Sequence, residues 1–132
     1  MDPAPNVGKK VLIIEDEVFI SDLYTRSLTK SGYEVTLIVD GQKALEAAQT
    51  NQYDIILLDI MLPTLTGTEI LRQLRNPQLT QHLKAKIIIT TNLELGEQSR
   101  ADMESHADGY IVKAEVTPKE LVVFLDQLQL NP

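Results

Sequence analysis

The sequence of 132 residues contains no cysteine. That absence excludes a disulfide framework, catalysis by a thiol and metal sites built from thiolates. The sequence has only two histidines, which excludes a metal site made of several histidines. It also lacks any apolar run near the ~18 residues that would indicate a membrane span. The apolar run after Lys9 and Lys10 is too short for a signal peptide. We therefore expect a soluble, cytoplasmic domain.

Basic residues are in the minority, with 12 lysines and arginines against 19 aspartates and glutamates, for a net charge of −7. An acidic surface repels phosphate backbones, so we do not expect this domain to bind nucleic acid directly. The apolar fraction of 43% and the length are ordinary for one globular domain. Residues 1–8 are rich in proline, glycine and asparagine, and they predict a disordered leader ahead of a single domain over residues 9–130.

Short apolar runs alternate with helical patterns along the domain. The runs are continuous and rich in β-branched residues, which is typical of parallel strands buried on both faces. They are Val11–Ile14, Val35–Ile38, Ile55–Leu58, Ile87–Ile89 and Tyr110–Val112. Helices are predicted between them and after the last one, starting near Phe19, Gly41, Gly67, Leu95 and Pro118. Five strand–helix units with right-handed crossovers predict an α/β fold with a doubly wound sheet.

Polar residues follow these apolar runs at the points where the strands end. The first run is followed by Glu15-Asp16-Glu17, the third by Asp59, the fourth by Thr90-Thr91 and the fifth by Lys113. Each feature alone is common at a loop or a helix start. In a doubly wound sheet, however, the carboxyl ends of the strands share one edge, where ligands bind. We therefore predict that these side chains form one site.

The chemistry of these residues indicates phosphoryl transfer. If the first and third strands are neighbours, Glu15, Asp16 and Asp59 converge, and three carboxylates repel one another unless a cation is present. Oxygen ligands of this kind suit Mg²⁺. Lys113 adds a positive charge for a phosphate or a carboxylate, and a threonine hydroxyl can donate to a phosphate oxygen. Together these groups can move a phosphoryl group onto a carboxylate.

Four segments carry a resemblance to a known family: VLIIEDE, DIILLDIMLPTLTG, KIIITTN and DGYIVK. The most specific places Pro63 four positions and Gly67 eight positions after Asp59. The sequence resembles the response-regulator receiver domains of two-component signalling, including the single-domain chemotaxis regulator. The resemblance implies a flavodoxin-like sheet with strand order 2-1-3-4-5.

The resemblance also implies roles for individual residues. Asp59 would accept the phosphoryl group from a histidine kinase or a phosphotransfer protein. The Mg²⁺ ligands would be Asp16, Asp59, the backbone carbonyl of Met61 and, through water, Glu15. Lys113 and a threonine hydroxyl would bind the phosphoryl group. The family spacing favours Thr91 over Thr90, and the choice between them stays open.

The resemblance further implies a signalling switch rather than a metabolic enzyme. Tyr110 would change rotamer with phosphorylation, and the fourth and fifth strand–helix units would form the output surface. That surface, including the helix from Thr117, is where we expect contacts with partners or with a second copy of the chain.

Three departures from the family pattern affect the site. Asn92 replaces the usual alanine or glycine; it can cap the next helix or slow phosphoryl entry by its bulk. Ala114 replaces a cis-proline, so the Lys113–Ala114 bond is either trans or a strained cis bond. Met61 and Leu93 occupy the two positions that flank the phosphate in the family and influence its hydrolysis. Both side chains are apolar, so neither can orient an attacking water. This predicts slow self-dephosphorylation.

Two other functions compete with the switch. A phosphatase or mutase that forms an aspartyl phosphate typically needs a second carboxylate two residues after the nucleophile, where this sequence has Met61. An interaction module that works without phosphorylation would not need the complete set of acids and Lys113.

Overall fold

The computed structural model describes residues 6–62, 65–92 and 96–131. Its five strands are β1 (Lys10–Ile14), β2 (Glu34–Ile38), β3 (Ile55–Asp59), β4 (Lys86–Thr91) and β5 (Gly109–Val112). Its five α-helices are α1 (Val18–Lys30), α2 (Gly41–Gln49), α3 (Gly67–Arg75), α4 (Glu97–His106) and α5 (Pro118–Asp126). The strands form one parallel sheet in the order β2-β1-β3-β4-β5. The predicted flavodoxin-like fold and strand order are confirmed.

Alternate residues of the strands face two separate apolar layers. One layer packs the sheet against α2 and α3 through residues such as Leu45 and Ile70, with Met103 of α4 at its edge. The other packs the opposite face against α1 and α5 through residues such as Leu28 and Leu121. Both faces of the central strands are therefore buried, which explains their continuous apolar sequence. No helix in the described part of the chain is long and apolar enough to cross a membrane.

The strand β2 differs from the expectation that every strand is buried on both faces. It lies at the edge of the sheet and pairs only with β1. Thr36 and Leu37 are exposed there, because no neighbouring strand and little helical surface covers the outer side. Its apolar run was read correctly as a strand, but its burial was not.

Local capping explains where several helices begin. Asp40 accepts a hydrogen bond from Lys43 N and starts α2 at the predicted residue. Thr117 and Glu120 form the complete predicted capping box, with Pro118 in the first turn of α5. Thr66 caps α3 through Glu69 N, but the Glu69 side chain bonds Arg72 and Gln73 instead of completing a box.

The structure differs from the predicted leader at residues 6–8. Asn6 is buried, and its Nδ2 donates to the carbonyls of Leu125 (2.9 Å) and Leu128 (3.2 Å) at the end of α5. Gly8 N donates to Gly32 O at 2.8 Å. These residues are part of the fold because the last carbonyls of α5 need donors that the helix itself does not supply. Residues 1–5 of the predicted leader lie outside the described residues.

Candidate functional site

Strand register places the first two acids of the site at one level. The strands β1 and β3 are direct neighbours, and Ile14 pairs with Leu58. Glu15 directly follows β1 and Asp59 is the last residue of β3, so they lie side by side at the carboxyl edge of the sheet. Both side chains are only 2% exposed. The predicted convergence of these acids is confirmed.

Lys113 directly follows β5, and its side chain extends to this pair of acids. Its Nζ lies 2.5 Å from Glu15 Oε1 and 3.2 Å from Asp59 Oδ2, and its side chain is also 2% exposed. Burial opposes the positive charge, but the hydrogen bond to Glu15 and the charges of Asp59 and Glu15 outweigh it and raise the pKa of Lys113. Lys113 therefore stays charged and neutralises part of the acidic cluster.

Glu15 has a strongly raised pKa. Burial raises the pKa of its carboxyl from 4.5 to about 7, and the neighbouring Asp59 adds to the rise. The hydrogen bonds from Lys113 and from Glu17 N act in the opposite direction. The raised pKa thus favours the protonated form of Glu15, which lowers the negative charge of the buried cluster near neutral pH.

Asp16 completes a set of three carboxylates that can hold a metal. One oxygen each from Glu15, Asp16 and Asp59 lies within 4.8 Å of the others. Asp16 is partly exposed, whereas Glu15 is buried and already paired with Lys113. Because a hard cation such as Mg²⁺ prefers oxygen ligands and compensates negative charge, the donor set fits this ion.

The turn after β3 fixes the orientation of the Asp59 carboxylate. Met61 N donates to Asp59 Oδ1 at 2.9 Å, while the Met61 side chain is 59% exposed beside the site. Gly67, at the start of α3, packs directly beneath this turn. A Cβ at position 67 would lie 2.2 Å from Asp59 O and 2.5 Å from Ile60 Cα, so only glycine fits there without moving the backbone that carries Asp59.

The two threonines at the end of β4 differ in the face they occupy. Asp59 pairs with Thr90, and Thr91 pairs with Val112 of β5. Since side chains alternate along a strand, Thr91 shares its face with Tyr110, which also contacts the α2/α3 layer of the core. Both threonines are buried. The register places Thr91 on the face that leads to Tyr110, while its role in phosphoryl binding stays a prediction.

The departures from the family pattern have distinct structural outcomes. The Lys113–Ala114 peptide bond is trans, and Lys113–Glu115 forms a short 3-10 turn before α5. Asn92 does not cap α4, which begins after Gly96. The side chain of Asn92 instead donates a hydrogen bond to the carboxylate of Glu17, directly before α1. Leu93 and Pro63 lie outside the described residues.

Two contacts near the site were missed by sequence reasoning. Asn92 Nδ2 donates to Glu17 Oε1 at 2.6 Å. The guanidinium of Arg100 in α4 lies 4.7 Å from the centre of the Tyr110 ring. The first joins residues 75 positions apart, and the second joins α4 to the neighbouring strand β5, so periodicity and capping rules give no signal for either. The position of Asn92 directly after the candidate switch threonine was the only local cue.

The comparisons with known proteins agree with this geometry. The family described as "Response regulator receiver domain" matches residues 11–126. The alkaline phosphatase synthesis regulatory protein PhoP of Bacillus subtilis is 36% identical over 115 residues, which cover 87% of this chain and 46% of PhoP. The response regulator ArlR of Staphylococcus saprophyticus is 41% identical over 104 residues, or 79% of this chain and 45% of ArlR. The chain thus spans about half the length of these relatives.

Solved structures show the same fold. The chemotaxis protein CheY4 of Vibrio cholerae superposes with a TM-score of 0.78 at 27% identity, covering 93% of this chain and all of CheY4. The receiver domain of a Pseudomonas aeruginosa sensor histidine kinase superposes with a TM-score of 0.78 at 28% identity, covering 92% of this chain and 97% of that one. That neighbour holds a magnesium ion in its active-site cleft.

The family match, the relatives and the converging carboxylates together explain why four of the five apolar runs are followed by a charged or polar residue. This chain belongs to the response-regulator receiver domains, which act as phosphorylation-dependent switches in two-component signalling.

Proposed function

We propose that Asp59 accepts a phosphoryl group from the phosphohistidine of a kinase or phosphotransfer protein. The observation that carries this proposal is the position of the Asp59 carboxylate at the end of β3. There its Oδ2 lies 3.2 Å from Lys113 Nζ, and it shares a cluster with Glu15 and Asp16. A carboxylate oxygen of Asp59 attacks phosphorus, the phosphorus–nitrogen bond breaks, and the departing imidazole keeps the electron pair and takes up a proton.

The protein's own residues supply orientation and charge for this step. Met61 N holds one carboxylate oxygen of Asp59, which restricts its rotation. Asp16, Asp59, the Met61 carbonyl and, through water, Glu15 would hold Mg²⁺, which when bound lowers the charge repulsion between donor and acceptor. Lys113 remains beside the acyl phosphate because transfer increases the negative charge that it faces.

We also propose that Thr91 and Tyr110 transmit the modification. The Thr91 hydroxyl would donate to a phosphoryl oxygen and draw the end of β4 inward. Thr91 and Tyr110 lie on the same face of neighbouring strands, so such a movement changes the space available to the Tyr110 ring. The surface of α4, β5 and α5 then becomes the output surface, and a two-state rearrangement of this kind is a common response to phosphorylation.

Phosphoryl acceptance is tested by intact mass after treatment with acetyl phosphate and Mg²⁺. We expect a mass increase of one phosphoryl group in the wild-type protein and none in Asp59→Asn. Asp54→Asn is the matched control, because Asp54 is also a buried aspartate at an end of β3 but bonds Lys10 N at the opposite edge. A phosphatase or mutase would turn over a phosphate ester. A module that works without phosphorylation would give no adduct.

The phosphorylated state is proposed to be long-lived. The position beside Asp59 is occupied by the exposed, apolar Met61, which cannot orient an attacking water. The sequence places a second apolar residue, Leu93, two positions after Thr91. We expect the adduct to persist well beyond seconds in magnesium buffer, and Met61→Asn or Leu93→Glu to change its lifetime. Decay of the wild-type adduct within seconds would contradict this proposal.

Association through the output surface is proposed as one consequence of phosphorylation. Val123 on α5 is half exposed, and it lies in a shallow cleft that also includes Thr117 and Phe124. Sedimentation velocity on the phosphorylated and unphosphorylated protein tests self-association. A homodimer through this face would be contradicted if the sedimentation coefficient changed neither with phosphorylation nor with the substitution Val123→Asp.

A further inference from the structure

A single hydrogen bond joins the two loops on either side of the phosphoryl-acceptor strand. Asn92 follows the last residue of β4, and Glu17 lies between β1 and α1. In the sheet, β3 lies between β1 and β4. The bond from Asn92 Nδ2 to Glu17 Oε1, 2.6 Å long, therefore passes across the end of β3, where Asp59 is buried. We name this contact the Asn92–Glu17 bridge.

The bridge is anchored on both sides. Glu17 N donates to Glu15 Oε2 at 3.1 Å, so the residue that accepts the bridge is tied to a buried acid of the cluster. Ser21 N also donates to Glu17 O, which fixes Glu17 at the first turn of α1. On the other side, Asn92 directly follows Thr91, which is fully buried. A hydrogen bond between two side chains resists opening more when both of their backbones are anchored, because less conformational freedom is left to gain.

The bridge also sets the charge at the mouth of the site. Asn92 is neutral, so it orients the Glu17 carboxylate without cancelling its charge. Both residues are exposed, and beneath them the Asp59 side chain is 2% exposed. A phosphoryl donor must come within bonding distance of Asp59, and donors such as acetyl phosphate carry negative charge of their own. The bridge thus presents such a donor with both a physical obstacle and a like charge.

We propose that the Asn92–Glu17 bridge is a gate that selects the phosphoryl donor. A small donor diffusing in solution has to break the bridge and offers little in return. A protein donor can replace the lost bond with contacts of its own around the mouth. This inference rests on the proposed phosphoryl acceptance by Asp59, and it assigns Glu17 and Asn92 as specificity-determining residues. Since water reaches the acyl phosphate through the same mouth, the gate slows its hydrolysis as well.

The experiment measures the rate at which acetyl phosphate and phosphoramidate, in Mg²⁺, form the Asp59 adduct by intact mass. The variants are Asn92→Ala, Asn92→Leu, Glu17→Ala and the double variant Asn92→Ala/Glu17→Ala. Asn92→Leu keeps the bulk of the side chain but cannot donate a hydrogen bond. Asp22→Ala is the matched control for charge, since Asp22 is an exposed acid of α1 paired with Arg26. Magnesium affinity is measured alongside by calorimetry.

The expected result is a rate about three- to tenfold higher in each single bridge variant, as the loss of one hydrogen bond predicts. Asn92→Leu should match Asn92→Ala. The double variant should match Glu17→Ala within about twofold, because Glu17→Ala alone removes both the bond and the charge. Asp22→Ala should behave as wild type. Hydrolysis of the adduct should quicken in the same variants, with magnesium affinity unchanged.

Different outcomes separate the possible failures. A slow Asn92→Leu beside a fast Asn92→Ala would assign the effect to bulk, and fully multiplicative effects in the double variant would assign it to independent groups. Either result overturns the bridge. Adduct formation at the wild-type rate in all variants would refute the gate while leaving phosphoryl acceptance intact. If no protein forms an adduct, phosphoryl acceptance itself fails, and the gate fails with it.

Discussion

Replacing Lys113 with methionine should destabilise the protein strongly in the absence of divalent metal. Lys113 is the cation that contacts both Glu15 and Asp59, and all three side chains are 2% exposed. Methionine keeps much of the apolar stem but removes the charge, which leaves two carboxylates buried together. Breaking a buried ion pair in this way typically costs about 3–5 kcal/mol.

That loss is large compared with the total stability of a domain, which is usually about 5–15 kcal/mol. With a urea dependence of about 2 kcal/mol per molar, the unfolding midpoint should fall by roughly 2 M. The assay is urea unfolding followed by far-ultraviolet circular dichroism at pH 7.5 in EDTA. Added Mg²⁺ should recover part of the loss, because it supplies positive charge to the same carboxylates.

Lys84→Met is the matched control for this experiment. Lys84 Nζ lies 3.5 Å from Asp54 Oδ1 at the opposite edge of the sheet. The side chain of Lys84 is 36% exposed and that of Asp54 is 11% exposed. Because the Lys84 ammonium keeps contact with solvent and Lys10 N still donates to Asp54 after the substitution, this pair should contribute about 1 kcal/mol or less. If Lys113→Met costs no more than Lys84→Met, or if Mg²⁺ leaves its stability unchanged, the argument from buried charge is wrong.

Three further predictions concern neighbouring features. Gly67→Ala should destabilise the fold by roughly 2–4 kcal/mol and slow adduct formation at Asp59, because the added Cβ would clash with the backbone between β3 and α3. Urea unfolding measures the loss of stability, and Gly96→Ala is the control because the space around Gly96 is open. Asn6→Ala should cost about 1–2 kcal/mol in the same assay, since carbonyls at the end of α5 lose their donor. The metal-free protein should lose up to about 3 kcal/mol of stability as the pH rises from about 4.5 to 7, because the pKa of about 7 in the folded state favours protonated Glu15. Urea unfolding at several pH values across that range tests this. A loss of the same size in Glu15→Gln would contradict it.

The sequence by itself determined the strands and the residues at their ends. A continuous apolar run has to be buried on both faces, and a charge directly after it can only lie at the rim of the sheet. Asp59, Glu15 and Lys113 were predictable for this reason, before any contact between them was known. Capping residues such as Thr117 were predictable as well, because a cap is a local contact within four residues.

Only the tertiary structure decided how these residues pair with one another. The sequence placed Lys113 near the carboxylates, but the fold brings it closer to Glu15 than to Asp59. The fold also buries Glu15, and this burial raises its pKa even though the contact with Lys113 opposes the rise. The exposed face of β2 and the docking of Asn6 on α5 likewise depend on neighbours distant in the chain.

The Asn92–Glu17 bridge is the clearest case, because it joins residues 75 positions apart across a strand that contains neither. Local rules made Asn92 a candidate helix cap, since they weigh only the residues that follow it. Packing the β-strands side by side brought a carboxylate within reach of the same amide. The sequence thus determined which groups stand at the edge of the sheet, and the three-dimensional arrangement of that edge decided which of them bond.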